Sequence, residues 1–413
     1  MFTPLESGIG ALLLQVATTS YLIQCGKIIG ISSILTAVWD IAFRTSKPKV
    51  RNDSNATDLL THELSLILGL ATSCYFIPWY LPDFSPRVQL DVIRLPMLEQ
   101  YTTLDHLFTE EHDLFKVIAF SSFLIGFGTK LGSGCTSGHM LSGLSRLSYR
   151  SIVATAVFCT TAMTVSFNTL KKNPSFPGDV LTCLNEYGVA TECWRVDSHK
   201  FFDNQSKLLT LLAAVIVIGY FVMPGMSGSV DKSAIGNSLG SSPILLRMIA
   251  AEFSGFVFGC GLFISGMAEN LKVLRFLSLG GALFTGDFSS FDPSLLMIIL
   301  FCIVPNVYLW NFYILPQTNK PVHAKGSKKV EQSNEILPLL HEEFLLVKST
   351  QITPKFLIGN MLFGAGWGLL GICPGPGFLN WVLTFQEDFS GNTAAMTLWY
   401  LSFVVGRYTA GLC

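Results

Sequence analysis

The sequence predicts an all-α protein that crosses a membrane many times. About nine spanning helices fit the length rule for a bilayer, and about four shorter helices interrupt them in an inverted repeat. Three observations predict this. Only 13% of the 413 residues are charged, against roughly 25% in soluble domains. Half of the residues are apolar and mean hydropathy is +0.49. Apolar runs of spanning length recur along the chain, and one Gly-rich, Cys-bearing segment returns in the second half.

The same arithmetic excludes a disordered chain and an ordinary cytosolic enzyme, since so apolar an interior needs lipid around it. A net charge of −1 gives no global field to recruit a nucleic acid. Ten cysteines in this length do not make a disulfide scaffold. Cys74, Cys159, Cys260, Cys302 and Cys413 read as core or lipid-facing thiols. Cys183 and Cys193 lie in a polar loop with Asp179, Glu186 and Glu192. Such a pair can be a disulfide where the loop faces an oxidising compartment.

Spans are expected at 8–24, 63–82, 115–131, 151–169, 208–224, 246–265, 293–315, 355–372 and 395–412. The first has no basic flank or cleavage pattern before it, so it is expected to be retained. Further apolar stretches at 27–43, 135–145, 267–283 and 374–385 are short, or follow a span without a polar loop. They begin beside Cys25-Gly26, Gly134-Cys135, Ser265-Gly266 and Cys373-Pro374. Interrupted segments of this kind read as half-helices, because irregular backbone at membrane depth must be buried in protein or line a cavity.

LIGFGTKLGSGCTSGH (124–139) lines up with LFGAGWGLLGICPGPG (362–377), and LIQCGKI (22–28) more faintly with FISGMAE (263–269). The expected units are therefore a first repeat over 1–207, a linking span and loop over 208–245, and a second repeat over 246–413. The odd linking span reverses the second half, which is the architecture of secondary transporters with the site between broken helices at the midplane.

The motifs suit a soft anion. In Gly132-Ser133-Gly134-Cys135-Thr136-Ser137-Gly138-His139 the glycines let backbone approach a ligand, and Thr136 and Ser137 can cap the helix that follows. That helix start presents free N–H groups and partial positive charge to an anion. Cys135 lies at that terminus, where a thiol is exposed to substrate. In Gly371-Ile372-Cys373-Pro374-Gly375-Pro376-Gly377 the prolines break the span and start a new helix. The plain structural alternative is a Gly-rich helix crossing or a proline kink with a buried cysteine. The return of the cysteine at the same offset favours the functional reading. Cys25 is a third pathway candidate, although its counterpart is Ser265. Among ionisable residues near midplane, Lys27, Lys130, His139, Glu252, Glu269, Lys272, Arg275 and Arg407 qualify, with snorkelling as the ordinary alternative. Lys130 can draw in an anion; His139 can touch substrate or bond a backbone carbonyl. Neither motif has the ligand spacing of a metal site, and no cofactor is expected.

GSGCTSGH with GLSRLS (143–148), together with the GxGWGLxGxCPGP pattern of 364–376, resembles the YeeE/YedE sulfur-transport family over about residues 8–412. The resemblance implies an hourglass-like inverted-repeat fold and a thiosulfate path lined by three cysteines, which match Cys25, Cys135 and Cys373. It implies no enzyme. The implied partners are the thiosulfate ion, the lipid bilayer and a cytoplasmic sulfur-acceptor protein, and the expected location is the plasma membrane. The 83–114, 170–207 and 316–354 segments depart from the family pattern. Alternatives are a membrane enzyme transferring sulfur through persulfides on Cys135 and Cys373, and a carrier of another sulfur or selenium species.

Orientation follows from basic residues in loops. Arg44, Lys47, Lys49, Arg51, Arg146, Arg150, Lys232, Lys320, Lys325, Lys328, Lys329 and Lys348 fall on one side. Arg87, Arg94, Lys171, Lys172, Arg195, Lys200 and Lys207 fall on the other. The excess places 316–354 in the cytoplasm and 170–207 outside. An impermeant reagent added to intact cells is expected to label a tag inserted in 170–207 and to spare one in 316–354. Labelling of the second tag alone reverses the orientation.

Overall fold

The computed structural model describes residues 1–43, 53–86, 110–170, 181, 183–184, 190–228, 241–318, 338–340, 344, 350–386 and 392–412. Cys413 lies outside the described residues, as do most of the loop charges used for orientation: Arg44, Lys47, Lys49, Arg51, Arg87, Arg94, Lys171, Lys172, Lys232, Lys320, Lys325, Lys328, Lys329 and Lys348.

Each expected span is a helix. The first half holds α1 (Pro4–Cys25), α2 (Ile31–Phe43), α3 (Asp53–Tyr80), α4 (Glu110–Leu131), α5 (Ser137–Leu144) and α6 (Tyr149–Leu170). The linking helix α7 runs Gln205–Val217 and continues through Ile218–Val222 to Met223–Gly228. The second half holds α8 (Ser241–Ile264), α9 (Asn270–Leu277), α10 (Leu279–Thr285), α11 (the continuous run 293–318), α12 (Pro354–Leu370), α13 (Pro374–Leu383) and α14 (Thr393–Leu412). Two of the short stretches differ in form from expectation. The 135–145 stretch is wound as π-helical turns over Ser137–Leu144, and the 267–283 stretch divides at Ser278 into α9 and α10.

Among the described residues, six helical runs are long and apolar enough to cross a membrane: Pro4–Cys25, Leu114–Leu131, Tyr149–Asn168, Gln205–Ser227, Ile244–Ile264 and Pro293–Ile314. A seventh is reached by counting α12 and α13, whose axes bend by 41° at the break, as one span. The helices α3 and α14 stand where spans are expected but carry more polar residues, His62 and Glu63 in one and Thr393, Thr397, Arg407 and Thr409 in the other. The chain is an all-α polytopic membrane protein.

Small residues set the packing. α1 lies on α8, α8 on α3, α4 on α12 and α14, and α12 on α6. A Cβ at Gly126 would stand 2.0 Å from the Phe403 carbonyl oxygen, and one at Gly128 would stand 2.3 Å from the Phe363 nitrogen. Close backbone approach is how helices associate where lipid removes the hydrophobic drive.

Each half-helix is preceded by a left-handed turn. Gly26 (φ 66°), Ser133 (φ 60°), Gly266 (φ 78°) and Gly371 (φ 70°) stand before α2, α5, α9 and α13. Gly26 and Gly371 terminate α1 and α12 by bonding back to the Leu22 and Trp367 carbonyls, the usual way a helix closes on an αL residue.

On the face holding residues 190–205, a small antiparallel ladder pairs Cys183–Leu184 with Ala190–Thr191. Cys183 and Cys193 form a disulfide with Cα atoms 5.2 Å apart. Phe2 bridges to Val196, and the Cys193 N–H donates to the Ser289 carbonyl at 2.8 Å. Burial opposes ionisation of Asp197, but its bonds from the His199 ring (2.6 Å) and N–H (3.3 Å) outweigh this and lower its pKa.

A polar network fastens the linking helix. Tyr220 donates to Gln15 Oε1 at 3.0 Å, and Gln15 donates to Asn306 Oδ1 at 3.2 Å. Thr19 donates to the same oxygen at 2.6 Å, and Asn306 Nδ2 donates to Thr18 Oγ1 at 2.9 Å. Asn306 thus joins α11 to α1 through three bonds, each worth about 0.6 kcal/mol in a bilayer. Asn306→Leu is expected to destabilise the protein by about 2 kcal/mol on that scale. Thermal unfolding of the detergent-solubilised protein measures it, and an unchanged midpoint contradicts the role given to the network.

Candidate functional site

The site grows from the left-handed turns. At the end of α4 the chain closes with Gly132 N–H on the Gly128 carbonyl (2.7 Å) and Gly134 N–H on the Thr129 carbonyl (2.9 Å). Ser133 adopts the left-handed conformation between them. This delivers Cys135, Thr136 and Ser137 to the start of α5, where His139 N–H bonds the Cys135 carbonyl at 2.9 Å. At the end of α12 the Gly371 turn delivers Cys373 to the N-cap of α13.

The turns meet. Thr136 Oγ1 donates to Cys373 Sγ at 3.5 Å, which joins the Cys motif of one half to that of the other. Ser137 Oγ lies 3.2 Å from Cys135 Sγ and accepts the N–H of Ile31 at 3.1 Å. The segment after Cys25 therefore reaches the same place. Cys25, Cys135 and Cys373 are 1%, 1% and 3% exposed, so all three thiols are inside protein and not in lipid.

The α13 start is sparing in donors. Pro374 and Pro376 have no N–H, and the Gly377 N–H is taken by the Cys373 carbonyl at 2.8 Å. Of the donors that a helix start leaves unpaired, Gly375 N–H remains beside Cys373. Gly377 lies under the Trp399 indole, where a Cβ would come within 2.2 Å of the ring. A Cβ at Gly138 would meet nothing within 4 Å, so there is open space at the first turn of α5.

His139 is tied at both ring nitrogens. Nε2 lies 2.9 Å from the Gly132 carbonyl oxygen and Nδ1 lies 3.2 Å from Ser151 Oγ. A carbonyl only accepts, so Nε2 carries a hydrogen. Of the two roles open to His139, the structure displays the backbone-carbonyl bond. Lys130 is exposed, near Gly411 of α14, and does not join the meeting point. Lys27 is half-buried in the turn between α1 and α2. Among the described residues, no three His, Cys, Asp or Glu side chains gather as a metal set.

Sequence reasoning passed over several donors. Ser32 Oγ, at the first turn of α2, is buried without a hydrogen-bond partner, as are the indole N–H groups of Trp367 and Trp399. Ser32 directly follows Ile31, whose N–H bonds Ser137. The signal for it was the Gly30-Ile31-Ser32 helix start; nothing in the sequence marked the tryptophans. The thiols, the hydroxyls and one backbone N–H bring neutral hydrogen-bond donors to the place where the turns meet.

Comparison with known proteins points to sulfur transport. Residues 111–164 match the family described as Sulphur transport, and residues 330–399 match a family of unknown function, DUF6691. The chain is similar to a probable transporter of Xylella fastidiosa strain 9a5c, 29% identical over 136 residues, covering 32% of this chain and 73% of that protein. A probable transporter of strain Temecula1 is 30% identical over 134 residues, covering 32% of this chain and 71% of its own length. Another from Temecula1 is 52% identical over 46 residues, which cover 11% of this chain and 34% of that protein. No solved structure matches. Cys135 falls in the first matched segment and Cys373 in the second, and this multi-pass membrane protein belongs to the YeeE/YedE family of sulfur transporters.

Proposed function

We propose that the protein imports thiosulfate across the plasma membrane, through a path in which Cys25, Cys135 and Cys373 and the starts of α2, α5 and α13 take the ion in turn. The contact of Thr136 Oγ1 with Cys373 Sγ carries the reading. It puts thiols from both halves at one buried place, where a ligand can pass from one to the next.

The chemistry follows from the ion. Thiosulfate is a dianion with one soft terminal sulfur, and desolvating an ion costs several kcal/mol even after the protein relaxes. Half-helix starts offset that cost without mobile charge. Gly375 N–H and the Thr136, Ser137 and Ser32 hydroxyls offer hydrogen bonds to the oxygens, while thiols offer weak contacts to the terminal sulfur. Sulfate has the same charge and no such sulfur. Successive weak stations also let the ion leave, as conduction requires.

We also read the architecture as two inverted repeats, 1–207 and 246–413, joined by the linking unit 208–245. Two features support this. The left-handed residues Ser133 and Gly371 fall at aligned positions of the repeated segments, and Gly26 and Gly266 fall within one position of each other in the fainter one. The helices α1 and α8 pack together, as do the matching α4 and α12. In this reading the ion is handed to a cytoplasmic sulfur-acceptor protein, and the chain itself performs no bond-making step.

Uptake of labelled thiosulfate into vesicles tests the path. Cys135→Ser and Cys373→Ser are each expected to lower uptake at least about tenfold, the equivalent of about 1.4 kcal/mol, with the protein still folded. Serine keeps a donor of similar size but is harder and more hydrated. Cys25→Ser is expected to have an equal or smaller effect, and Cys159→Ser and Cys302→Ser to behave like the parent. Normal uptake by the Cys135→Ser, Cys373→Ser double variant contradicts the path. A persulfide trapped on Cys135 after turnover moves the assignment to a sulfur-transfer enzyme.

A further inference from the structure

Two arginines stand unbalanced at the end of the bundle that holds the Cys135 turn. Arg146 lies in the turn between α5 and α6, and Arg150 in the first turn of α6. Among the described residues neither has a carboxylate partner. Arg150 Nη2 donates to Ser133 Oγ at 3.0 Å, and its guanidinium lies 4.3 Å from the centroid of the Phe356 ring at the start of α12. Its Nε is buried and has no hydrogen-bond partner. Arg146 donates through Nε to the Ser142 carbonyl at 3.1 Å and lies 6.0 Å over Trp310 of α11.

This arrangement works against itself unless something negative is present. Arg150 is in the first turn of α6, where the helix dipole is positive and a cation is disfavoured. The aromatic faces hold the guanidinium planes but do not neutralise them. The backbone is held at a cost as well. Among the described residues, Ser133 (φ 60°) and Leu147 (φ 52°) are the two non-glycine residues with left-handed φ, and both belong to this cluster. A non-glycine residue held there costs about 1–3 kcal/mol, and such strain gathers at ligand clamps. Guanidinium forks match tetrahedral oxyanions through paired N–H donors.

We propose that Arg146, Arg150 and Ser133 form a binding site for a tetrahedral oxyanion at this mouth, beside the Cys135 turn. The site reads charge and oxygen geometry and so takes sulfate as well as thiosulfate; selection for the soft sulfur belongs to the thiols. Placing it on the ion's route rests on the transport reading above, but its ability to bind an oxyanion does not. Two sources supply the same chemistry, a free sulfur oxyanion and a phospholipid headgroup.

The test uses the full chain in phosphatidylcholine vesicles, with thermal unfolding followed as sodium sulfate replaces sodium chloride at fixed ionic strength. The parent midpoint is expected to rise saturably by about 3 °C, as ligand linkage predicts for a site filled well above its Kd. Thiosulfate acts alike. Arg146→Gln and Arg150→Gln lose the rise, and Arg150→Lys keeps part of it. The Cys135→Ser, Cys373→Ser double variant keeps all of it, which separates this site from the thiol path. Should the glutamine variants not fold, phenylglyoxal modification of the parent decides: sulfate is expected to protect Arg146 and Arg150. In a second arm, phosphatidylglycerol replaces part of the neutral lipid. A rise with that lipid alone, abolished by Arg150→Gln, supports the site and assigns it to the headgroup. No saturable rise in either arm, or an equal rise in the parent and the glutamine variants, overturns the proposal.

Discussion

Backbone that leaves the α-helix inside a bilayer exposes N–H and C=O groups that lipid cannot satisfy. The breaks between the described helices answer to that constraint. Among the described residues, four left-handed residues, Gly26, Ser133, Gly266 and Gly371, precede the half-helices, and a helix resumes within a few residues each time. The breaks are covered by other helices: Gly371 lies against Asn270, and Gly132 against Asn360. What the breaks leave over is donors at helix starts, with a thiol beside two of them. The transport chemistry proposed here is the use of that remainder.

Polar groups in the interior divide into two kinds. The Gln15, Thr18, Thr19, Tyr220 and Asn306 network bonds its members to one another and joins α1, α7 and α11. A network so occupied is glue. Other buried groups are left without partners; Ser32 Oγ, the Trp367 and Trp399 indoles and Arg150 Nε are among them, as are Ser121 Oγ and Ser254 Oγ in the long helices. Leaving a buried donor unmade costs about 1–3 kcal/mol, and in the proposed path an anion would accept from the Ser32 hydroxyl.

Much of this was legible in the sequence, because length and apolarity dictate spans and because glycine, proline and cysteine mark the breaks. The positions of the nine long helices, six of them apolar enough to span, and the run Cys373-Pro374-Gly375-Pro376 could be read directly. Other features could not. The left-handed residue before α5 is Ser133, and serine does not announce a positive φ as glycine does. The π-helical winding of α5, which packs against α6, is not something local propensity encodes. The bond between Thr136 and Cys373 joins residues far apart in the chain, and only the faint repeat hinted at it. Arg146 and Arg150 looked like loop charges that set orientation, since their lack of carboxylate partners is a fact of three dimensions. The Cys183–Cys193 pair was an open alternative until geometry placed the two Cα atoms 5.2 Å apart.

The central claim is that the Cys135 and Cys373 turns meet inside the membrane. Thr136→Cys, made with Cys373 kept and the other free thiols replaced, puts a second sulfur where Thr136 Oγ1 now stands 3.5 Å from Cys373 Sγ. Mild oxidation of native membranes, read as a disulfide-linked peptide pair by mass spectrometry, measures their proximity. The account predicts rapid formation of the 136–373 link, slowed when thiosulfate fills the path. Two thiols at these positions that stay reduced while Cys183 and Cys193 remain paired would contradict it.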